Sequence, residues 1–131
     1  MSRKKVSILM SAYNAENSIE KSLNSLIDQT YQEIEILIAD DGSTDKTEKI
    51  CYDYSNNYSN IFLIKNEKNI GLTKSLNLLI KKSKGEYIAR QDADDISDTR
   101  RIEKQLDYLS KYNLDAVTCR AKTINENRTI P

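Results

Sequence analysis

Ile34-Glu35-Ile36-Leu37-Ile38-Ala39-Asp40-Asp41 is an almost unbroken apolar run that ends in two carboxylates. Near-continuous apolar character suits a strand in a sheet covered on both faces. A second apolar run, Tyr87-Ile88-Ala89, is followed closely by Asp92-Ala93-Asp94-Asp95. If both runs are parallel strands of one sheet, all five carboxylates emerge along the same edge, where open α/β sheets bind ligands. Acids packed this densely need a cation or free access to solvent. A divalent metal and a phosphate-bearing substrate are therefore the first expectation.

Outward from these runs the chain alternates strand and helix patterns. Val6 to Met10 reads as the first strand. A helix follows, with Asn17 and Glu20 spaced as a capping box and Ile19, Leu23, Leu26 and Ile27 at helical intervals. After Asp41-Gly42-Ser43-Thr44-Asp45 comes a helix with Thr47, Ile50, Cys51 and Tyr54 on one side. Ile61 to Ile64 is a third strand. The third helix follows Asn69-Ile70-Gly71, with Leu72, Leu76, Leu79 and Ile80 inward and Gly85 as its C-terminal glycine. Ser97 or Asp98 caps a fourth helix carrying Ile102, Leu106 and Leu109, and Ala116 to Thr118 reads as a fifth strand. Four βα units in series predict a mainly parallel, Rossmann-like α/β sheet flanked by helices. The stretch Asn125-Glu126-Asn127-Arg128 reads as irregular.

Composition narrows the chemistry. The 131 residues fit one domain, and 20 basic against 20 acidic residues give no global grip on nucleic acid. Arg3-Lys4-Lys5 is too short to read as more than a solvated terminus. With no histidine, imidazole catalysis and His-ligated zinc are excluded, so any metal is held by oxygen: magnesium, manganese or calcium. Cys51 and Cys119 lack metal-ligand spacing and read as reduced and at least half-buried, as in a cytoplasmic protein. No apolar stretch reaches the ~18 residues that span a bilayer.

In extended backbone Asp92 and Asp94 point the same way and suit a metal–diphosphate site, whereas Asp95 points elsewhere unless the chain turns. Asp98 reads as a solvated acid near a helix N-terminus. Asp40 and Asp41 have two readings: acceptors for a nucleobase or ribose, or, for Asp41, support of the turn at Gly42. Tyr13, beside Asn14 on the same edge, offers an aromatic face for base stacking. Lys74 is a candidate phosphate contact.

Several segments together, in order, resemble the nucleotide-sugar-binding part of family 2 glycosyltransferases of the GT-A fold. They are Val6 to Asn14, Ser25-Leu26-Ile27-Asp28-Gln29-Thr30-Tyr31, Glu35 to Asp45, Asn69-Ile70-Gly71-Leu72 and Gly85 to Asp95. The resemblance implies a single nucleotide-sugar-binding domain over residues 1–131. Ser11, Tyr13, Asn14, Asp41, Lys74, Asp92 and Asp94 would hold a nucleotide-diphospho-sugar, usually a UDP-sugar. Tyr13 would lie against the uracil and Asp41 would bond its edge. Asp92 and Asp94 match the family's Asp-x-Asp signature, and Asp94, Asp95 and Asp92 are the candidate ligands for Mn2+ or Mg2+. Transfer would invert configuration: an acceptor hydroxyl, deprotonated by a carboxylate, displaces the nucleoside diphosphate, as in glycan or polysaccharide synthesis.

Two departures qualify the match. Leu76 stands before Asn77, where many members have an arginine, leaving Lys74 as the substitute cation. The base and the acceptor-binding region lie downstream in the family, so donor binding with little or no transfer is expected of a chain ending at Pro131. Its expected location is the cytoplasm or the cytoplasmic face of a membrane. A catalytically silent nucleotide-binding module is the main alternative. A receiver-type signalling domain fits poorly: strand one ends in Ser11-Ala12-Tyr13-Asn14 and strand three in Lys65-Asn66, not in its acids. A nucleotidyltransferase would carry a glycine-rich basic loop after strand one.

Overall fold

The computed structural model describes residues 4–125 and 128–130. Four parallel strands, β1 (Val6–Ala12), β2 (Ile34–Asp40), β3 (Ile61–Lys65) and β4 (Tyr87–Arg90), form one sheet in the order β3-β2-β1-β4. Helices α1 (Ile19–Ile27), α2 (Thr47–Asn57), α3 (Leu72–Lys82) and α4 (Arg101–Tyr112) alternate with them. The expected series of βα units is therefore present.

Both inner strands are buried along nearly their whole length, which is why their sequences read as continuous apolar runs. One face of the sheet packs Ile8, Met10, Ile36 and Ile38 against Ile19, Leu23 and Leu26 of α1, Cys51 of α2 and Ile102 of α4. On the opposite face, Leu9, Leu37 and Ala39 pack against Leu79 of α3. Glu35, near the N-terminal end of β2, is fully satisfied. It accepts bonds from Ser7 Oγ at 2.6 Å and the Lys84 N–H at 2.6 Å, and pairs with Lys5 at 2.9 Å.

Several local expectations are corrected. Helix α1 begins at Ile19 after Ser18, and no side chain caps it, so Asn17 and Glu20 form no capping box. In α3 Leu79 and the partly buried Leu76 face the sheet as expected, but Leu72 and Ile80 are exposed and Ser75 is buried instead, accepting a hydrogen bond from Asn66. Gly85 is not a helix cap, since α3 closes at Ser83. Its real constraint is close approach to β1: a Cβ there would lie 2.5 Å from the Ser7 amide nitrogen.

No side chain caps α4 through its N-cap residue, Arg100; Asp98 instead accepts the Arg100 N–H at 3.0 Å, closing the turn ahead of the helix. Residues 116–118 form no strand; three residues with no neighbouring strand cannot build a ladder. Cys119 is exposed rather than half-buried, whereas Cys51 is buried. Lys5 is tied to Glu35, so only part of the basic start is solvated, and Arg3 lies outside the described residues. Thr123–Asn125 pairs antiparallel with Arg128–Ile130, while Glu126 and Asn127 of the stretch read as irregular lie outside the described residues.

Candidate functional site

The strand order reverses at β1. The chain steps outward through β2 and β3, then returns to place β4 on the other side. The helices leave on opposite faces there, and the crevice beyond the strand ends is where doubly wound sheets take ligands. A cleft of about 320 Å³ lies at this point, lined by Ser11, Tyr13, Asn14, Leu72, Asp92 and Asp94 among others. Five of the sequence-predicted residues thus meet in one place. Asp41, Lys74 and Asp95 do not line it.

The β1 side of the cleft is held by interlocked loops. Asn14 has φ 48°, a left-handed conformation that asparagine tolerates. Its Oδ1 accepts the Thr44 N–H at 2.8 Å, and its own N–H donates to Ser43 Oγ at 3.0 Å. Asp45 accepts the N–H groups of Glu16 at 3.1 Å and Thr47 at 2.9 Å, and Thr47 Oγ1 accepts that of Ala15 at 2.7 Å. These bonds fix the turn that presents Tyr13, whose ring is 50% exposed at the cleft.

At the end of β2 the two neighbouring acids differ. Asp41 is buried, which by itself raises its pKa. The N–H of Ile70 (2.9 Å), the Asn66 amide (2.9 Å) and the N–H of Gly71 (2.9 Å) outweigh burial and hold it below the usual carboxylate range. It thereby fixes the loop that delivers Leu72 to the cleft. The Ser75 side chain acts in the same direction.

Asp40 is fully buried, and neither oxygen has a partner of standard geometry among the described residues. Burial pushes its pKa up; the nearby Ser43 hydroxyl and N–H only partly oppose that. Behind it the Cys51 thiol is pushed up to about 12, by burial first and then by Asp40's charge. Cys51 is therefore a protonated packing group. Gly42 takes φ +75°, and a Cβ there would meet the Asn69 nitrogen at 2.7 Å, so the two loops touch backbone to backbone.

At the β4 side the chain turns as Asp95 N–H donates to Asp92 O at 3.1 Å. Asp92 is gripped by Arg90, with Nε at 3.0 Å and Nη2 at 2.8 Å from Oδ1. Asp95 has its pKa raised by burial and then by the charges of Asp92 and Asp94. No three acidic or cysteine side chains converge on one point among the described residues. Asp94 and Asp95 are exposed, whereas Asp92 is paired with Arg90. Two carboxylates completed by phosphate oxygens and water are a normal donor set for a hard divalent cation, so these residues fit one.

Gln91, Arg90, Arg101 and the serines Ser18, Ser22 and Ser25 were missed in the sequence. Only the serines carry a signal, a polar stripe at helical spacing beside the apolar face of α1.

The sequence profile described as Glycosyl transferase family 2 matches residues 7–130. "Putative glycosyltransferase EpsE" of Bacillus subtilis is 44% identical over 109 residues, which is 82% of this chain and 39% of that protein. The Escherichia coli "UDP-Glc:alpha-D-GlcNAc-diphosphoundecaprenol beta-1,3-glucosyltransferase WfgD" is 35% identical over 125 residues, 95% of this chain and 49% of that one. The crystal structure of S. aureus TarS 1–349 in complex with UDP-GlcNAc superposes with a TM-score of 0.77 at 30% identity, covering 83% of this chain and 32% of that one. The chain therefore spans a third to a half of these three proteins, and its sheet is that of the GT-A fold.

Proposed function

The chain belongs to glycosyl transferase family 2, and on that basis we propose that the crevice between β1 and β4 holds the nucleoside-diphosphate part of a sugar donor, with UDP as the nucleotide. One observation carries this reading. Tyr13, Asp92 and Asp94, distant in sequence, line a single cleft at the switch point of a parallel sheet. The UDP-GlcNAc complex of a 30% identical structure and the UDP-Glc donor named for a 35% identical relative support the choice of nucleotide.

Tyr13 offers its exposed ring to the base. Asp41 keeps the Asn69–Gly71 loop in place, and its carboxylate is the acceptor offered to the base edge. Ser11 and Asn14, which line the cleft, would meet the donor between its base and its phosphates, and Lys74, exposed on the first turn of α3, is the candidate cation for those phosphates. Asp94 and Asp95 would hold Mn2+ or Mg2+, which as a Lewis acid stabilises charge on a departing diphosphate. Inverting transfer to an acceptor hydroxyl, with a carboxylate base, is the reaction this donor geometry serves. Glycan or polysaccharide synthesis on the cytoplasmic side of a membrane is its setting. No helix among the described residues is long and apolar enough to cross one.

Calorimetric titration of UDP into the chain, with and without Mn2+, tests the proposal. Saturable binding strengthened by Mn2+ is expected, and Asp94→Ala should abolish the strengthening. Absent binding by a folded chain would refute it.

A further inference from the structure

Three carboxylates in four residues repel one another, and an untethered loop would relieve that by splaying. Here the main chain of the run is held from below by side chains that touch none of the carboxylates. Ser22 Oγ donates to Asp92 O at 3.1 Å and Ser18 Oγ to Ala93 O at 3.1 Å. Ser25 Oγ accepts the Ser97 N–H at 3.0 Å, and Arg101 Nη2 donates to Arg90 O at 2.8 Å.

Gln91 sits at the centre of this frame, 3% exposed, with its own N–H on Leu9 O at 3.1 Å. Its Oε1 accepts from Arg101 Nη1 at 3.1 Å and from the Ser97 hydroxyl. Arginine can only donate, so the atom facing it must be the amide oxygen. That fixes Nε2 on the other side, donating to Ser22 Oγ at 2.9 Å and Asp95 O at 3.2 Å.

From this geometry we infer that Gln91 is a positioning residue for the cation and diphosphate end of the site. It links β4, α1 and α4 and sets the backbone from which Asp94 and Asp95 project. The inference rests on the reading of the acidic run given above. Gln91 touches no ligand; it spares the site the ordering of an acidic loop when a cation arrives. Gln91→Glu is the selective disruption. It keeps size and the Arg101 contact but sets an acceptor against the carbonyls of Ser22 and Asp95.

The experiment compares the parent chain, Gln91→Glu and Ser22→Ala with three probes: Mn2+ alone, UDP with Mn2+, and uridine without metal. Gln91→Glu should weaken Mn2+ binding and the Mn2+-dependent part of UDP binding about tenfold, with uridine binding unchanged. Ser22→Ala should show a smaller loss in the same direction. It decides the matter if circular dichroism shows Gln91→Glu unfolded. Parent-like Mn2+ binding in the folded variants, or equal losses for uridine and UDP, would reduce Gln91 to a packing residue. A parent chain whose UDP binding ignores Mn2+ would instead overturn the reading of the acidic run, and this inference with it.

Discussion

The ends of β2 and β4 both carry clustered acids, yet they solve the resulting electrostatic problem in opposite ways. At β2 the chain supplies its own donors: Asp41 is ringed by Asn66, Ile70 and Gly71. At β4 Arg90 pairs with Asp92 and the buried bonds go to the backbone, while the carboxylates of Asp94 and Asp95 stay exposed, Asp95 with like charges beside it. An acid bonded mostly from within is first of all a fastener. An acid whose surroundings are ordered while it remains free is prepared for something from solution.

The contrast breaks most sharply at Asp41. Asp41→Ala leaves the Ile70 N–H without its acceptor and removes one of two acceptors from the Gly71 N–H and the Asn66 amide, and should cost about 2 kcal/mol in urea denaturation. The matching change at the other strand end, Asp94→Asn with Asp95→Asn, should leave the urea midpoint unchanged or raised. It should weaken Mn2+-dependent UDP binding at least about tenfold by calorimetry.

Asp40 separates the two neighbours within β2 by pH. Its folded pKa is raised above the ordinary 3.8, so the fold favours its protonated form. Its contribution is complete below the unfolded pKa and is lost as pH rises through the folded one. Asp40→Asn should therefore stabilise the chain by about 1 kcal/mol at pH 7 and by nothing near pH 3, read from paired thermal melts. Asp41 slopes the other way: its lowered pKa means stability present above 3.8 and lost on acidification. The smallest effect is expected from Arg90→Ala. An exposed ion pair contributes under about 1 kcal/mol, so stability should barely move, while release of Asp92 should modestly tighten Mn2+ binding.

The βα series and the pairing of Tyr13 with the Asp92-x-Asp94 run were legible in the sequence, because strand ends of a parallel sheet share one edge whatever the loops do. The role of Asp41 was not. Both readings of it begin from the same residue beside the same glycine, and the donors that fix its loop come from residues 66–71, across a tertiary contact. The inward face of α3 misled for a related reason. Counting apolar residues favours Leu72 and Ile80, but the helix rotates to bury Ser75 where Asn66 needs an acceptor. Gln91 was invisible because a glutamine among aspartates reads as solvated until the helix beneath it is in place.

The two walls of the crevice also differ in when they come into existence. β1 meets β2 after one helical crossover, but it meets β4 only after three. Contacts between distant residues pay the larger loop-closure entropy, so β1–β3 with α1 and α2 can collapse first. On a ribosome the chain has a buried core before it has a place for a ligand. The nucleotide site proposed above would be complete only once the last of the four strands has paired with the first.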